Sequence, residues 1–183
     1  MSFIPYSSGG SADISETVEV IMENSKTIAV GEVAALTSDA GCTNGAAAAP
    51  LLGIVIGFKD SLGNPLQPTA YTPGTATSSD VQSVTTASDN ETVAKKRAIV
   101  EISIFKKWSA AVSGTLGTTA TSNKFGGWVD VDSANTNYAR LLESTFTRTA
   151  GTASNFFSYG LDPSDSTRLI VSIASSLKIN EQS

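Results

Sequence analysis

The two carboxylates most suggestive of chemistry lie in the segment WVDVD at residues 128–132. Side chains two residues apart on a strand project to the same face, so Asp130 and Asp132 could bridge a hard cation such as calcium. A calcium loop of the EF-hand type would need an oxygen ligand and then a glycine further on, where the chain has Ala134 and Asn135. The pattern therefore favours solvated acids at a strand end, with a calcium site as the alternative.

A second group of residues with possible binding chemistry is aromatic. Aromatic side chains on a sheet can form a platform on which sugar rings stack, but they can equally fill a core or a subunit interface. The supply of seven Phe, four Tyr and two Trp is ordinary for a chain of this size, which favours core or interface. The candidate residues are Trp108, Trp128, Tyr138, Phe156, Phe157 and Tyr159.

Two features of the composition exclude most enzymatic chemistry. The chain has no histidine, which rules out Ser/His/Asp and Cys/His nucleophile systems and imidazole-ligated metals. Its single cysteine, Cys42, cannot form an internal disulfide and is interpreted as a bystander thiol. Asp162 and Asp165 flank a Pro-Ser pair and are interpreted as turn formers that accept backbone N–H groups. We therefore expect no catalytic residue, no cofactor and no enzyme activity; the remaining enzymatic alternative is a hydrolase that uses only carboxylates.

The charge is polarised along the chain. The net charge is −5, with ten acids against two bases in residues 1–94 and seven acids against ten bases in residues 95–183. Because non-specific nucleic-acid binding needs Lys and Arg to neutralise phosphates, no direct contact with nucleic acid is expected. Five bases flank one apolar stretch and are either strand ends in solvent or a contact patch for an acidic partner. These bases are Lys95, Lys96, Arg97, Lys106 and Lys107.

Short apolar runs separated by turn residues dominate the chain from residue 26 onward. This pattern predicts an all-β fold, an antiparallel sandwich or barrel of short strands. The segment 51–58 is apolar on both alternating faces and is expected in the core, whereas 98–105 has one face that is wet or meets a partner. Residues 17–22 fit either a short helix or a strand, and their β-branched content favours a strand. The other predicted strands are 27–30, 33–37, 81–86, 128–131, 140–147 and 167–173.

The N-terminus is predicted to be an extended arm. Its apolar cluster consists of Phe3, Ile4, Pro5 and Tyr6 and is followed by the tether SSGGS. Such a cluster gains little by folding back onto its own domain unless a pocket exists there, so we expect it to dock into a neighbouring molecule. The predicted division is an arm, residues 1–25, and a single β-rich domain, residues 26–183.

Phrases of the sequence resemble phage head decoration (capsid cement) proteins. The segment TIAVGEVAAL at 27–36, followed by PLLGIVIG at 50–57, is similar to the opening of that family. The segments SDNETVA at 88–94 and GLDP at 160–163 are similar to longer decoration proteins.

The resemblance implies a non-enzymatic, β-rich protein that binds the outer face of an icosahedral phage head and clamps neighbouring capsomers. It implies the major capsid protein as partner, a homotrimer as the oligomeric state, and a place on the virion exterior after assembly in the host cytoplasm. No leader sequence and no run of 18 apolar residues is evident, so neither secretion nor membrane contact is expected. The alternative function is a glycan- or receptor-binding module of a phage fibre. The predicted partner-binding residues are Phe3, Ile4, Pro5, Tyr6, Lys95, Lys96 and Arg97.

Overall fold

The computed structural model describes residues 3–6, 15–37, 41–44, 51–71, 81–117, 123–132, 140–149 and 155–174. About 60% of these residues are in strands and 4% in a helix, so the predicted all-β antiparallel fold is confirmed. A short π-helical turn spans Asn90–Ala94. The strands are β1 (Phe3–Pro5), β2 (Thr17–Ile21), β3 (Thr27–Ala29), β4 (Val33–Leu36), β5 (Cys42–Asn44), β6 (Leu51–Lys59), β7 (Thr69–Tyr71), β8 (Val81–Thr85), β9 (Arg97–Glu101), β10 (Lys107–Ser113), β11 (Phe125–Val131), β12 (Leu141–Thr147), β13 (Phe156–Asp162) and β14 (Asp165–Ile173).

Five strands close into a barrel in the order β10-β12-β11-β13-β14, because β14 pairs back onto β10. The seam between β10 and β12 is parallel and short, joining Val112 to Leu141 and Ser113 to Leu142. All the other pairings in this sheet are antiparallel. Large buried side chains, among them Trp108 and Phe156, fill the core of this half of the molecule.

A five-stranded sheet, β2-β9-β6-β4-β5, packs with one face against the barrel. A three-stranded sheet, β3-β8-β7, packs against the opposite face of the five-stranded sheet. Ile54 of β6 belongs to the barrel core cluster, whereas Val55 belongs to a second cluster that also contains Ile28 of β3 and Val84 of β8. Strand β6 is therefore covered on both faces, as its doubly apolar pattern predicts. The prediction that this strand lies in the core is confirmed, with Ile56 as its one exposed large side chain.

The close pairing of β6 with β9 depends on a glycine. A Cβ atom at Gly53 would lie 2.1 Å from the backbone oxygen of Glu101, far inside van der Waals contact. Glycine is therefore the residue that allows the two strands to approach at this point.

Strand β9 corrects the prediction made for residues 98–105. The strand ends at Glu101, and a turn follows before β10. Glu101 and Ser103, assigned to a wet or partner-facing side, are both buried. For Glu101, the reason is that it lies opposite Ile54 of β6, and β6 is covered on both faces.

The expected tether SSGGS, residues 7–11, lies outside the described residues, but the strands before and after it pair within the chain. Strand β1 pairs with β10 along Trp108–Ala110, the part of β10 that β12 leaves unpaired, and β2 pairs with β9. Phe3 is 1% exposed and packs on Phe156 of its own chain, with ring centroids 5.1 Å apart. A pocket for Phe3 thus exists within the chain, which removes the reason for expecting it in a neighbour. Partner binding by the exposed Ile4 and Pro5, and by Tyr6, stays a prediction.

Candidate functional site

An irregularity in β11 places two aromatic residues on one face of the barrel. Phe125 lies opposite Tyr159 and Trp128 opposite Phe157, with a register shift between Phe125 and Gly127. Residues three apart on a regular strand would point to opposite faces, but the extra residue of the bulge brings Phe125 and Trp128 to the same side. The chain can make this bulge because Gly126 adopts φ +70, a left-handed conformation that glycine accepts readily.

The four residues Phe125, Trp128, Phe157 and Tyr159 form what we call the aromatic face. Their neighbours on β13, Phe156 and Ser158, are buried, so the aromatic face is on the outside of the barrel. Trp128 contacts Phe157 edge to face at 5.6 Å between centroids, and Phe157 contacts Tyr159 in the same way at 5.2 Å. Phe125 is 59% exposed and Tyr159 38%. The rings of Trp128, Phe157 and Tyr159 therefore form a continuous row, and the exposed Phe125 lies opposite Tyr159.

A cation borders the aromatic face. Lys107 and Phe157 are both paired with Ser172 of β14, which places their side chains on the same side of the sheet. The Nζ of Lys107 lies 4.4 Å from the ring centroid of Tyr159, within range of a cation–π interaction. The hydroxyl groups of Tyr159 and Ser172 are 3.3 Å apart. In the part of the chain that the structure describes, no carboxylate forms an ion pair with Lys107.

The structure divides the predicted aromatic candidates. Trp108 and Phe156 are core residues, as the favoured interpretation had it. Trp128, Phe157 and Tyr159 are on the aromatic face instead, and Tyr138 lies outside the described residues. Sequence reasoning missed Phe125, whose only signal is the Gly-Gly pair that follows it.

The predicted basic residues do not form one patch. Arg97 and Glu101 are the two ends of β9, roughly 13 Å apart at the usual rise of a strand, and the five bases cluster at these separate ends. At the first end Lys95 is exposed, the Nζ of Lys96 donates to the carbonyl of Thr85 at 2.9 Å, and Arg97 is 3.7 Å from Glu19. At the second end are Lys107 and Lys106.

The turn before β9 is held in place by one buried amide. Asn90 is buried; its Oδ1 accepts a hydrogen bond from the N–H of Lys96, and its Nδ2 donates to the carbonyls of Met22 and Lys96. The same turn leaves Val93 68% exposed, beside the exposed Lys95. We call residues 90–97 the presenting turn, because a rigid frame displays one apolar and one cationic side chain.

Glu101 is a buried carboxylate with four hydrogen-bond donors. It accepts hydrogen bonds from the hydroxyl of Ser15, the N–H of Glu16 at 2.8 Å, the N–H of Ser103 at 3.2 Å and the Nζ of Lys106 at 3.0 Å. Burial alone would raise the pKa of Glu101, but these donors hold it below its ordinary value. The group joins the chain before β2 to the turn after β9, so its role is structural.

Glu32 is a second buried carboxylate, with a different balance. It accepts hydrogen bonds from the N–H of Ala29 at 2.8 Å and from the amide of Asn44 at 3.3 Å, both neutral donors. Burial raises the pKa of Glu32 to about 7, against the smaller opposing effect of these hydrogen bonds. Among the residues with described positions, no cation pairs with the charged form of Glu32, so burial favours the neutral form.

The other sequence candidates have structural roles. The Oδ1 of Asp130 accepts the N–H of Asn155 at 2.8 Å, and Asp132 is buried, so the expectation of solvated acids is wrong for Asp132. Among the described residues, no group of three or more His, Cys, Asp or Glu side chains could hold a metal ion. Asp162 and Asp165 accept backbone N–H groups within their turn, as predicted. Burial raises the pKa of the Cys42 thiol to about 12, which agrees with an inert thiol.

Comparison of the chain with protein-family models, curated proteins and solved structures finds no match. The resemblance to decoration proteins therefore rests on the quoted phrases. Within the described ranges there is no helix long and apolar enough to cross a membrane.

Proposed function

We propose that the chain is a non-enzymatic decoration protein that binds the outer surface of a phage head as a homo-oligomer, a trimer being favoured, and stabilises contacts between capsomers. Its partner in this proposal is the major capsid protein, and its location is the virion exterior. The observation that carries the proposal is the presenting turn, which overlaps the phrase at 88–94 that is similar to longer decoration proteins and displays Val93 beside Lys95.

Two further observations support the proposal. The phrases at 27–36 and 50–57 contribute β4 and β6, which pair directly through Val33 and Ile54, so they form one structural unit. The presenting turn is held by the buried Asn90, which lowers the ordering cost of a partner contact. Val93 supplies apolar area and Lys95 supplies charge for an acidic surface.

The test is co-sedimentation of the purified protein with expanded heads and with unexpanded precursor heads of the phage that encodes it. We expect binding to expanded heads, and we expect Val93→Ser and Lys95→Glu each to weaken it about tenfold or more. Phe105→Ser is the matched control, because Phe105 is 70% exposed but follows the opposite end of β9. The proposal would be refuted if the protein sedimented with neither kind of head. If the control variant lost as much binding as the two turn variants, the presenting turn would not be the contact.

The alternative, a glycan- or receptor-binding module of a phage fibre, is favoured by the exposed aromatic face. It differs from the first proposal in requiring no contact with the head. Decoration would be favoured if the protein bound to heads and a variant without the aromatic face bound them with the same affinity. Attachment to fibres, with no binding to heads, would favour the alternative.

A further inference from the structure

We propose that the aromatic face is a saccharide-binding site and that its preferred ligand carries a carboxylate. The inference does not depend on binding to a phage head, because it concerns the outside of the barrel and not the presenting turn. It begins from the glycine bulge, which brings Phe125 to the same face as Trp128 although a regular strand would separate them.

The backbone groups of the strands at this face are already paired with neighbouring strands. Strand β11 is paired with β12 and β13, and β13 is paired with β11 and β14, so neither strand has a free edge there. A peptide therefore cannot bind by adding a strand, which is the common way in which a sheet recognises an extended chain. A ligand at this face has to be recognised through side chains.

The side chains present combine apolar rings with hydroxyl groups. Sugars have the matching chemistry, since they display C–H groups that can lie on a ring and hydroxyl groups that need hydrogen-bond partners. Trp128 and Phe157 supply aromatic surface, and the hydroxyl of Tyr159, a residue that is 38% exposed, can donate and accept. A purely apolar partner would leave the hydroxyl of Tyr159 with only the Ser172 hydroxyl, 3.3 Å away, in place of water.

The charge at the face selects an anionic ligand. Lys107 lies over Tyr159 and forms no ion pair within the described ranges. The nearest acid along β11, Asp130, already accepts the N–H of Asn155. Near Phe125, Lys124 pairs with Glu143, and the guanidinium of Arg148 donates to the carbonyl of Phe125 at 3.3 Å. A carboxylate on the sugar would meet Lys107 at a position where the described residues supply none.

The experiment applies the intact protein to an array of oligosaccharides that contain uronic or sialic acids, together with matched neutral oligosaccharides. The best acidic ligand and its neutral analogue are then titrated by calorimetry. We expect Trp128→Ala to weaken binding of both at least tenfold. Lys107→Gln should weaken only the acidic ligand, by about fivefold, and this loss should shrink as salt is raised.

Matched controls separate binding from folding. Phe105→Ala removes an aromatic residue that is 70% exposed but outside the aromatic face, and it should leave binding unchanged. Tyr159→Phe keeps the ring and removes only the hydroxyl, so a loss there identifies hydrogen bonding to the ligand. Thermal melting of each variant checks that the barrel is intact.

Three results would overturn the inference: no binding to any saccharide on the array, binding that survives Trp128→Ala, or a Trp128→Ala variant that dissociates an oligomer. The last result would assign the aromatic face to a contact between copies of the chain. Equal loss of acidic and neutral ligands in Lys107→Gln would refute the preference for a carboxylate.

Discussion

At the scale of single residues, Glu32 makes the stability of the protein depend on pH. Its pKa is raised from 4.5 to about 7 in the folded chain, so the folded state binds a proton that the unfolded state has released at pH values between these two. The contribution of Glu32 to stability is therefore fully present below pH 4.5 and falls as pH rises towards 7, by roughly 3 kcal/mol at 1.36 kcal/mol per unit.

We expect Glu32→Gln to remove this fall in the free energy of unfolding between pH 5 and 7, measured by urea unfolding. The control is Glu19→Gln: the hydrogen bond from Lys59 lowers the pKa of Glu19, so its titration lies below this window and the fall should persist. Identical pH profiles for Glu32→Gln and the natural chain would show that Glu32 does not retain its proton.

Residue types predicted part of the site, and geometry decided the rest. Trp128, Phe157 and Tyr159 could be named as candidates from the sequence, but Trp108 and Phe156 were named with them. The residue type of an aromatic side chain does not indicate whether it lies on the inner or the outer face of a sheet. Only the pairing register, shifted by the bulge, shows which rings share the outer face. Glu101 was assigned to a wet face because its own alternation suggests one, whereas its burial is decided by the neighbouring β6.

At the scale of elements, the pairing of β6 with β9 can be tested by adding a single methyl group. In Gly53→Ala the new Cβ would lie 2.1 Å from the carbonyl oxygen of Glu101, and backbone must move to make room. Overpacking of this kind destabilises by about 1 to 3 kcal/mol or more, measured by urea unfolding.

Gly57→Ala is the matched control on the same strand. The nearest atom to its new Cβ would be the Cδ1 of Ile99 at 3.5 Å, an ordinary contact. We expect the free energy of unfolding to change by no more than about 1 kcal/mol. Alanine restricts the unfolded chain more than glycine does, and this effect alone would stabilise the protein. Similar losses for the two variants would mean that β6 and β9 do not approach as closely as described.

Strands with β-branched or aliphatic runs were predictable, and strands of mixed composition were not. The strongly apolar 51–58 predicted β6 to within one residue. Strand β13, with the sequence FFSYGLD, and β10, with KWSAAVS, lack such runs and were missed. Both are strands because partners on either side bond their backbones, which is information that a local window does not contain.

At the scale of the whole molecule, the chain's first strand completes the barrel at its weakest seam. Strand β12 pairs with only two residues of β10, and β1 covers the adjoining stretch of β10. Pro5, opposite Trp108, lies next to the rung where the N–H of Tyr6 donates to Lys107, so its missing donor falls at a position that needs none. The side chain of Phe3 then packs on Phe156 in the barrel core.

We therefore expect Phe3→Ala to lower the free energy of unfolding by about 3 kcal/mol, as truncation of a buried aromatic does. The loss has a ceiling, because β1 can detach and leave Trp108 and Phe156 partly exposed while the barrel survives. At roughly 2 to 4 °C per kcal/mol, the melting temperature should fall by about 6 to 12 °C. Ile4→Ala is the control, since Ile4 is 40% exposed and its truncation should change the melting temperature far less.

The dependence of melting on protein concentration separates the two places in which Phe3 could be buried. If Phe3 packs within its own chain, the melting temperature of the natural protein owes nothing to β1 docking between copies, and the Phe3→Ala loss is the same at low and high concentration. If β1 docks into a neighbour instead, dilution releases it, and the difference between the natural chain and Phe3→Ala shrinks as concentration falls. Equal melting temperatures for Phe3→Ala and Ile4→Ala at every concentration would contradict burial of Phe3 in either place, and the N-terminal segment would again be free to bind a partner.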